Sequence, residues 1–267
     1  MTGFVTLEGS VAIISGAGSG IGRASALSLA RRGARVVVTD LDIDRAEAVA
    51  AEITEKGGKS LSVQCDVGSL AALEHVRECA LGEFGRIDIV MNNVGVIAMG
   101  APETLPLEGW ERVIDINLLS VVRSNLTFLP LLLSQGGGHI VNTASASGLL
   151  AHGYDRLPYV ATKHAVVGLT ESLALYLRPR GIGVTCLCPS GVITNIVEQI
   201  TSYGEPGTPR SPQYPVVEAT VVGDLVADAI ENGRYFVITA SQVHDELLER
   251  AYDMDAYIDS LTSSETS

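Results

Sequence analysis

The chain is predicted to fold as a single doubly wound α/β domain, with about seven parallel strands and helices on both faces. Three observations carry that expectation. Glycines recur just ahead of short β-branched runs, segments of helical character precede those glycines, and several runs are largely apolar on both faces. A strand of that last kind belongs inside a parallel sheet covered by helices. Parallel neighbours also need a crossover between them, usually a helix. No linker-like break interrupts the alternation across residues 1–267, so one domain is expected. With 46% hydrophobic and 18% charged residues, the chain carries ample apolar material for a large core.

Taken in order, "VAIIS" at residues 11–15 is the first strand, followed by a glycine turn and the helical "IGRASALSLARR". "RRGARVVVTD" stops that helix and starts a second strand through Val36–Val38. "EKGGKSLSVQ" supplies the third. After the helical "SLAALEHVRECALGEF", the segment "EFGRIDIVMNN" supplies the fourth through Ile87–Met91. "QGGGHIVNTAS", "PRGIGVTCLC" and "ENGRYFVIT" complete the set. In each, a glycine just past a helix end accepts the left-handed conformation that closes the helix. Helices are also expected over residues 107–133 and 158–178, and a C-terminal one over about 241–258. The one long irregular stretch, "TSYGEPGTPRSPQYP", is too rich in Pro, Gly and Ser for regular structure. A loop of that length in a compact domain is a lid or a disordered segment, and residues 195–215 are assigned as a lid.

Charge and cysteine usage narrow the function classes. A formal charge of −13 argues against electrostatic binding of nucleic acid or of an anionic membrane surface. Cys65, Cys79, Cys186 and Cys188 show neither zinc-site spacing nor a C-x-x-C pair, so free thiols and no metal site are expected. The N-terminus has no basic n-region and no run reads as a membrane span. A soluble, cytoplasmic protein is expected.

Sheets of this kind bind ligands at the carboxyl ends of their strands. "VAIISGAGSGIGRASALSLA" is a strand, a glycine turn and a helix in succession. It departs from G-x-G-x-x-G because Ile21 occupies the last glycine's place; the spacing is Gly16-x-x-x-Gly20-x-Gly22. Small residues let the backbone approach a pyrophosphate, and the helix N-terminus offers free N–H groups and positive dipole. Gly16, Ser19, Gly20, Ile21 and Gly22 are therefore assigned to a dinucleotide, in a Rossmann-type domain. Asp40 ends the second strand about 20 residues beyond the turn, where a carboxylate accepts bonds from ribose hydroxyls and repels a 2′-phosphate. The following "LDID" adds negative charge and no Arg or Lys, which points to NAD over NADP. The competing role for Asp40 is to cap the next helix, which Asp42 or Asp44 could do instead.

These motifs, with "CDV" at 65–67, "NNVG" at 92–95, "DINLLS" at 115–120, "VNTASASG" at 141–148, "YVATK" at 159–163 and "CPSGVIT" at 188–194, resemble the short-chain dehydrogenase/reductase family. The resemblance covers roughly residues 7–240. It implies that Asn117, Ser145, Tyr159 and Lys163 form a catalytic tetrad. It also implies that Asp66 and Val67 meet the adenine, that Asn93 and Gly95 line the adenosine side, and that Val192 and Thr194 meet the nicotinamide amide. Lys163 would bind the nicotinamide ribose as well, beside Tyr159. Departures are Ser15 for a usual Thr, Val94 for Ala, and Ser190 where Gly commonly follows the proline.

The spacing of Tyr159 and Lys163 places them one helical turn apart on one face. A free phenol titrates near ~10, too high for a base at neutral pH. An ammonium ~4 Å away in a partly shielded site favours phenolate by about 4 kcal/mol, before desolvation opposes it. Pro158 suits the first turn of the helix that carries both. Ser145 would hold the substrate oxygen, Tyr159 would exchange its proton, and Asn117 would hold a water relaying protons from Lys163. Ser147 is the rival serine. Tyr154 lacks a Lys four residues on, His152 reads as a solvated loop residue with lining of a substrate pocket as its alternative, Cys186 and Cys188 as core packing, and "DELLERAYDMD" as a solvated helix face.

The expected function is NAD-dependent interconversion of a secondary alcohol and its ketone, on a neutral or hydrophobic small molecule. Two alternatives stand beside it. One is a catalytically silent nucleotide-binding or regulatory protein on the same fold. The other is a sugar-nucleotide epimerase or dehydratase, whose relatives share Y-x-x-x-K but need a larger substrate domain. By the resemblance a homo-oligomer is expected, a tetramer or dimer.

Overall fold

The computed structural model describes residues 5–204 and 212–263. Seven parallel strands form the central sheet: β1 (Val11–Ser15), β2 (Arg35–Asp40), β3 (Lys59–Gln64), β4 (Ile89–Asn92), β6 (Gly138–Thr143), β7 (Ile182–Cys188) and β11 (Phe236–Ile238). Their order is β11-β7-β6-β4-β1-β2-β3. All seven are the strands expected, "VAIIS" and the six glycine-led runs. Gly33, Gly57, Gly85, Gly136, Gly181 and Gly233, one ahead of each strand after the first, sit at φ between 60 and 89 degrees. A Cβ is strained there, so these positions both stop the chain before each strand and require glycine.

Alternation along each strand sends neighbouring side chains to opposite faces. On one face Ala12, Ile14, Val36 and Val38 pack with Leu29 of α1 (Gly20–Arg31), Ile53 of α2 (Ile43–Glu55), and Val226 and Ile230 of α7 (Ala219–Asn232). On the other, Val11, Ile13 and Val37 meet Val76 of α3 (Leu70–Phe84), Phe128 and Leu132 of α5 (Ser120–Gln135), and Leu177 of α6 (Leu157–Leu177). Burying a side chain of this size contributes about 1.5–3 kcal/mol.

Two features shape the ligand edge. Helix α4 (Leu107–Ile114) runs into α5 through a π turn at Asp115–Leu119, which holds Asn117. Such turns re-aim one side chain without ending the helix. The whole stretch, Leu107–Gln135, is long and apolar enough by composition to cross a membrane, contrary to the sequence expectation. Here Val121, Phe128 and Leu132 are buried against the sheet layers, and Asn117 is buried as well. The second feature is a set of short ladders: β5 (Ile97–Met99) pairs with β9 (Ile200–Ser202), and β8 (Val192–Ile193) pairs with β10 (Val217–Glu218).

The segment assigned as a lid is thus partly regular: a 3-10 turn at Asn195–Gln199 leads into β9. Its Pro/Gly-rich part at 205–211 lies outside the described residues. The C-terminal segment forms two helices, α8 (Gln242–Tyr252) and α9 (Met254–Ser263), where one over about 241–258 was expected. Asp253 separates them in an extended conformation, and its Oδ1 accepts from the Ala256 N–H as a helix cap does.

Candidate active site

The strand order reverses direction at β1, with β2 on one side and β4 on the other, and the two crossovers leave a crevice at the carboxyl ends. A cleft of about 770 Å³ opens there. Gly16, Ser19, Gly20, Ile21, Asp40, Asp66, Val67, Asn93, Gly95, Ser145, Tyr159, Lys163, Val192 and Thr194 all line it. Gly22 and Asn117 do not, and each acts behind the surface.

Gly16 and Gly20 adopt φ of 62 and 52 degrees, which folds the turn between β1 and α1 tightly. A Cβ on Gly22 would lie 2.2 Å from the Gly16 oxygen, so Gly22 is what lets α1 approach the turn. The helix starts at Ser19 with no side chain capping its first N–H groups. An uncapped N-terminus beside a glycine cradle fits a pyrophosphate. Asn93 is fixed at the rim, its N–H donating to Ser15 Oγ at 3.0 Å.

Asp40 accepts from the Gly18 N–H at 2.9 Å and the Asp42 N–H at 3.1 Å. Helix α2 is capped by Asp42, which accepts from Asp44 and Arg45, so Asp40 is not the cap. Each Asp40 oxygen keeps a lone pair for the cleft. Arg45, missed in the sequence, also lines the cleft and donates to Glu198 at 3.0 Å across the 195–199 turn. Its position just after "LDID", on the first turn of α2, was the available signal. Asp66 accepts from the Gly68 N–H at 2.8 Å. Thr194 caps the 195–199 turn and packs against Gly20, where a Cβ would lie 3.1 Å from it. The Ser190 departure is held by Thr239, whose Oγ1 accepts from the Ser190 N–H at 2.8 Å.

Tyr159 and Lys163 face the cleft from α6, with Pro158 in its first turn. Lys163 is buried; its Nζ donates to the Thr143 carbonyl at 2.8 Å and lies 5.7 Å from the centre of the Tyr159 ring. Ser145 accepts from the Ser147 N–H at 3.1 Å, and its hydroxyl draws the Tyr159 phenol downward against burial. Of the two rival serines, Ser145 is the one whose hydroxyl acts on the Tyr159 phenol. Asn117 spans the Val96 peptide: its Oδ1 accepts from the Val96 N–H at 2.8 Å and its Nδ2 donates to the Val96 oxygen at 3.0 Å. Nδ2 also reaches Thr162 Oγ1, at 3.2 Å, in the same helical turn as Tyr159 and Lys163. Gly95 lies where these groups converge, its Cβ position being 3.4 Å from Lys163 Nζ and 3.7 Å from Asn117 Oδ1.

Burial dominates the electrostatics. It pushes the Tyr159 phenol above its ordinary value, against the pull of Ser145's hydrogen bond and the Arg156 charge. It lowers Lys163 to about 8, with partial opposition from Cys188 and Cys186. A buried amine near neutrality can still carry its charge at pH 7 and give it up cheaply.

The family described as short chain dehydrogenase matches residues 10–203. The chain belongs to this family. Among relatives, it is 39% identical over 191 residues to a cyclohexanol dehydrogenase of Acinetobacter sp. (strain SE19), covering 71% of this chain and 75% of that one. It is 34% identical over 251 residues to the 1-deoxy-11-beta-hydroxypentalenate dehydrogenase of Streptomyces exfoliatus, covering 93% and 89%. A short-chain dehydrogenase/reductase structure from Burkholderia phymatum, in complex with NAD, superposes with a TM-score of 0.85 at 30% identity, covering 94% of this chain and 96% of that one. The protein is therefore an oxidoreductase of the short-chain dehydrogenase/reductase type, on the Rossmann-type fold.

Two sequence expectations change in this family member. His152 is not a solvated loop residue: its Nε2 bonds Glu246. Glu246, read as part of a solvated helix face, is only 20% exposed and accepts from Tyr214 and Tyr257 as well. Nothing local to "DELLERAYDMD" marks it, because its partners lie up to 94 positions away. Cys186 and Cys188 are buried free thiols with sulfurs 3.6 Å apart. Among the described residues no cluster of metal-ligating side chains occurs.

Proposed function

We propose that the protein is an NAD-dependent dehydrogenase/reductase interconverting a secondary alcohol and its ketone, with Tyr159 as general acid/base. The observation that carries this is the grouping of Ser145, Tyr159 and Lys163 along the cleft, with the Ser145 hydroxyl acting on the phenol and the ammonium beside its ring. NAD, when bound, supplies the hydride acceptor, and NADH the donor. The glycine turn and the uncapped start of α1 would hold the pyrophosphate, Asp40 the adenosine ribose, and Asp66 and Val67 the adenine. Val192 and Thr194 would meet the nicotinamide amide, and Lys163 its ribose.

In the oxidative direction, Ser145 donates a hydrogen bond to the substrate oxygen and fixes the carbinol carbon toward the cofactor. Tyr159, as phenolate, takes the hydroxyl proton as the carbon–oxygen double bond forms. Lys163 stabilises that phenolate by charge. Asn117, locked on the Val96 peptide, fixes the turn that faces Lys163, and the proton leaves toward solvent on that side through a held water. In the reverse direction the same groups deliver a proton to the carbonyl oxygen.

Asp40, with Asp42 and Glu198 engaging Arg45, supports NAD over NADP, because the cation lining the cleft beside Asp40 is already paired. Val96, Ile97, Val160 and Ile196 line the substrate end, which supports a neutral or hydrophobic substrate. Residues 195–204 with 212–215 would close over the cleft as a lid. Leu107, Leu119, Leu126, Leu175 and Tyr176 are exposed on α4, the π turn, α5 and α6, and fit a dimer or tetramer. The free thiols fit a reducing, cytoplasmic setting. No observation favours the catalytically silent alternative. The test is a titration with NAD and with NADP, followed by a screen of secondary alcohols for reduced-cofactor absorbance. NAD binding well over tenfold tighter, with turnover of an uncharged alcohol, is the expected result. Equal affinities would remove the Asp40 assignment, and no turnover of any alcohol would remove the reaction.

A further inference from the structure

The far wall of the cleft is built around one carboxylate. Glu246 on α8 receives the Tyr257 hydroxyl from α9 at 2.7 Å and the Tyr214 hydroxyl at 2.5 Å, and it bonds His152 Nε2. The Tyr214 oxygen also lies 3.3 Å from His152 Nε2, and the two rings meet edge to face with centroids 5.5 Å apart. Burial alone would raise the Glu246 carboxyl, but the three donors and the His152 charge hold it below the usual range. Tyr214 and Tyr257 are pushed the other way, by burial and by that carboxylate, so both stay neutral donors. One turn along α8, Arg250 donates to the Leu149 carbonyl at 2.9 Å. A single face of α8 therefore grips two points of the 149–152 segment. That segment connects Ser145 to Tyr159, and His152 and Tyr214 line the same cleft as those two residues.

We propose that Glu246 is a positioning residue for substrate, setting the His152–Tyr214 corner as the wall against which the group remote from the carbinol packs. The chemistry of the corner names the substrate class. The phenol oxygen and the imidazole Nε2 are both engaged by Glu246, so what the Tyr214 ring offers the cleft is mainly carbon. Ile97, Val160 and Ile196 add apolar lining, and of the arginines that line the cleft, Arg156 is held by Asp155 at 2.9 Å and Arg112 donates to Thr201 Oγ1 at 2.6 Å. The substrate is then a secondary alcohol bearing an uncharged ring. This rests on the alcohol/ketone reading above and adds the feature that selects among alcohols.

The test compares wild-type protein with Glu246→Ala and Glu246→Gln, using 1-phenylethanol as the ring-bearing probe and 2-propanol as the small one. Steady-state kinetics at saturating NAD should show KM for 1-phenylethanol raised at least tenfold in Glu246→Ala, with kcat for both alcohols and KM for 2-propanol changed less than threefold. Glu246→Gln, which keeps one acceptor oxygen, should recover part of the loss. NAD affinity should be the same in all three. Calorimetric binding of 1-phenylethanol to the NAD complex is measured in a Tyr159→Phe background, where chemistry is blocked. A tenfold selective loss there supports the clamp even if the wild type oxidises neither alcohol, an outcome that would count only against the reaction. Equal losses for both alcohols, an unchanged KM for 1-phenylethanol, or no binding of either alcohol would overturn the proposal.

Discussion

Replacing Lys163 by Met tests whether its charge, rather than its bulk, serves Tyr159. The ammonium lies 5.7 Å from the centre of the phenol ring. At an effective dielectric of ~20, two unit charges at that separation interact by roughly 3 kcal/mol. At ~1.4 kcal/mol per unit, this is about two pKa units on Tyr159, whose phenol burial already pushes upward. Met keeps the length and apolar stem of Lys but no charge. Below the phenol's pKa, phenolate falls tenfold per unit, so alcohol oxidation at pH 7 should drop about 100-fold. The acid limb of the kcat profile should move up by about two units, and activity should recover as the pH is raised. The assay is reduced-cofactor absorbance across a pH series, at NAD concentrations high enough to offset a weaker ribose contact. Loss of the donor to Thr143 is monitored by thermal melting of the variant. An acid limb in the wild-type position, with the same fractional loss at every pH, would refute the electrostatic role.

Other outcomes follow from single contacts. Gly22→Ala forces a Cβ to 2.2 Å from the Gly16 oxygen, so NAD affinity measured by fluorescence should fall more than tenfold, with the fold retained by circular dichroism. His139 is fully buried; burial, and then the Arg178 charge, hold it at about 3. Its unfolded-state imidazole takes up a proton below ~6.5 while the native one does not, so stability is complete above that pH and is lost progressively toward pH 3. The full loss is on the order of 4–5 kcal/mol. Urea unfolding at stepped pH should show a steeper decline for the wild type than for His139→Gln, and parallel declines would rule His139 out as a source of acid sensitivity.

Six of the seven strands were legible because a stop glycine precedes a short run, several of those runs being apolar on both faces, and that combination has few other solutions. The short β5–β9 and β8–β10 ladders were not, since two or three residues carry no period. The division between α8 and α9 was hidden because Asp253 reads equally well as a helix residue or a cap, and only the Ala256 contact decides. The π turn at Asn117 leaves composition helical and so leaves no trace in the sequence. At the site, the motif residues could be named from their order along the chain. Their couplings could not. Arg45 returns to the cleft because Asp42 starts a helix beneath it, and Glu246 is buried because Tyr214, Tyr257 and His152 arrive from three other segments. Those contacts come from tertiary placement, which local pattern does not encode.

The most direct measurement of the central claim is turnover of a secondary alcohol by wild-type protein and by Tyr159→Phe, with NAD binding determined on both. The substitution removes only the exchangeable proton and its oxygen while keeping the ring on α6. Loss of nearly all turnover with NAD affinity within about twofold is the predicted result, since the lost group acts on the proton and not on the cofactor. A Phe variant that keeps more than a few per cent of the wild-type rate would contradict the assignment of Tyr159 as the acid/base.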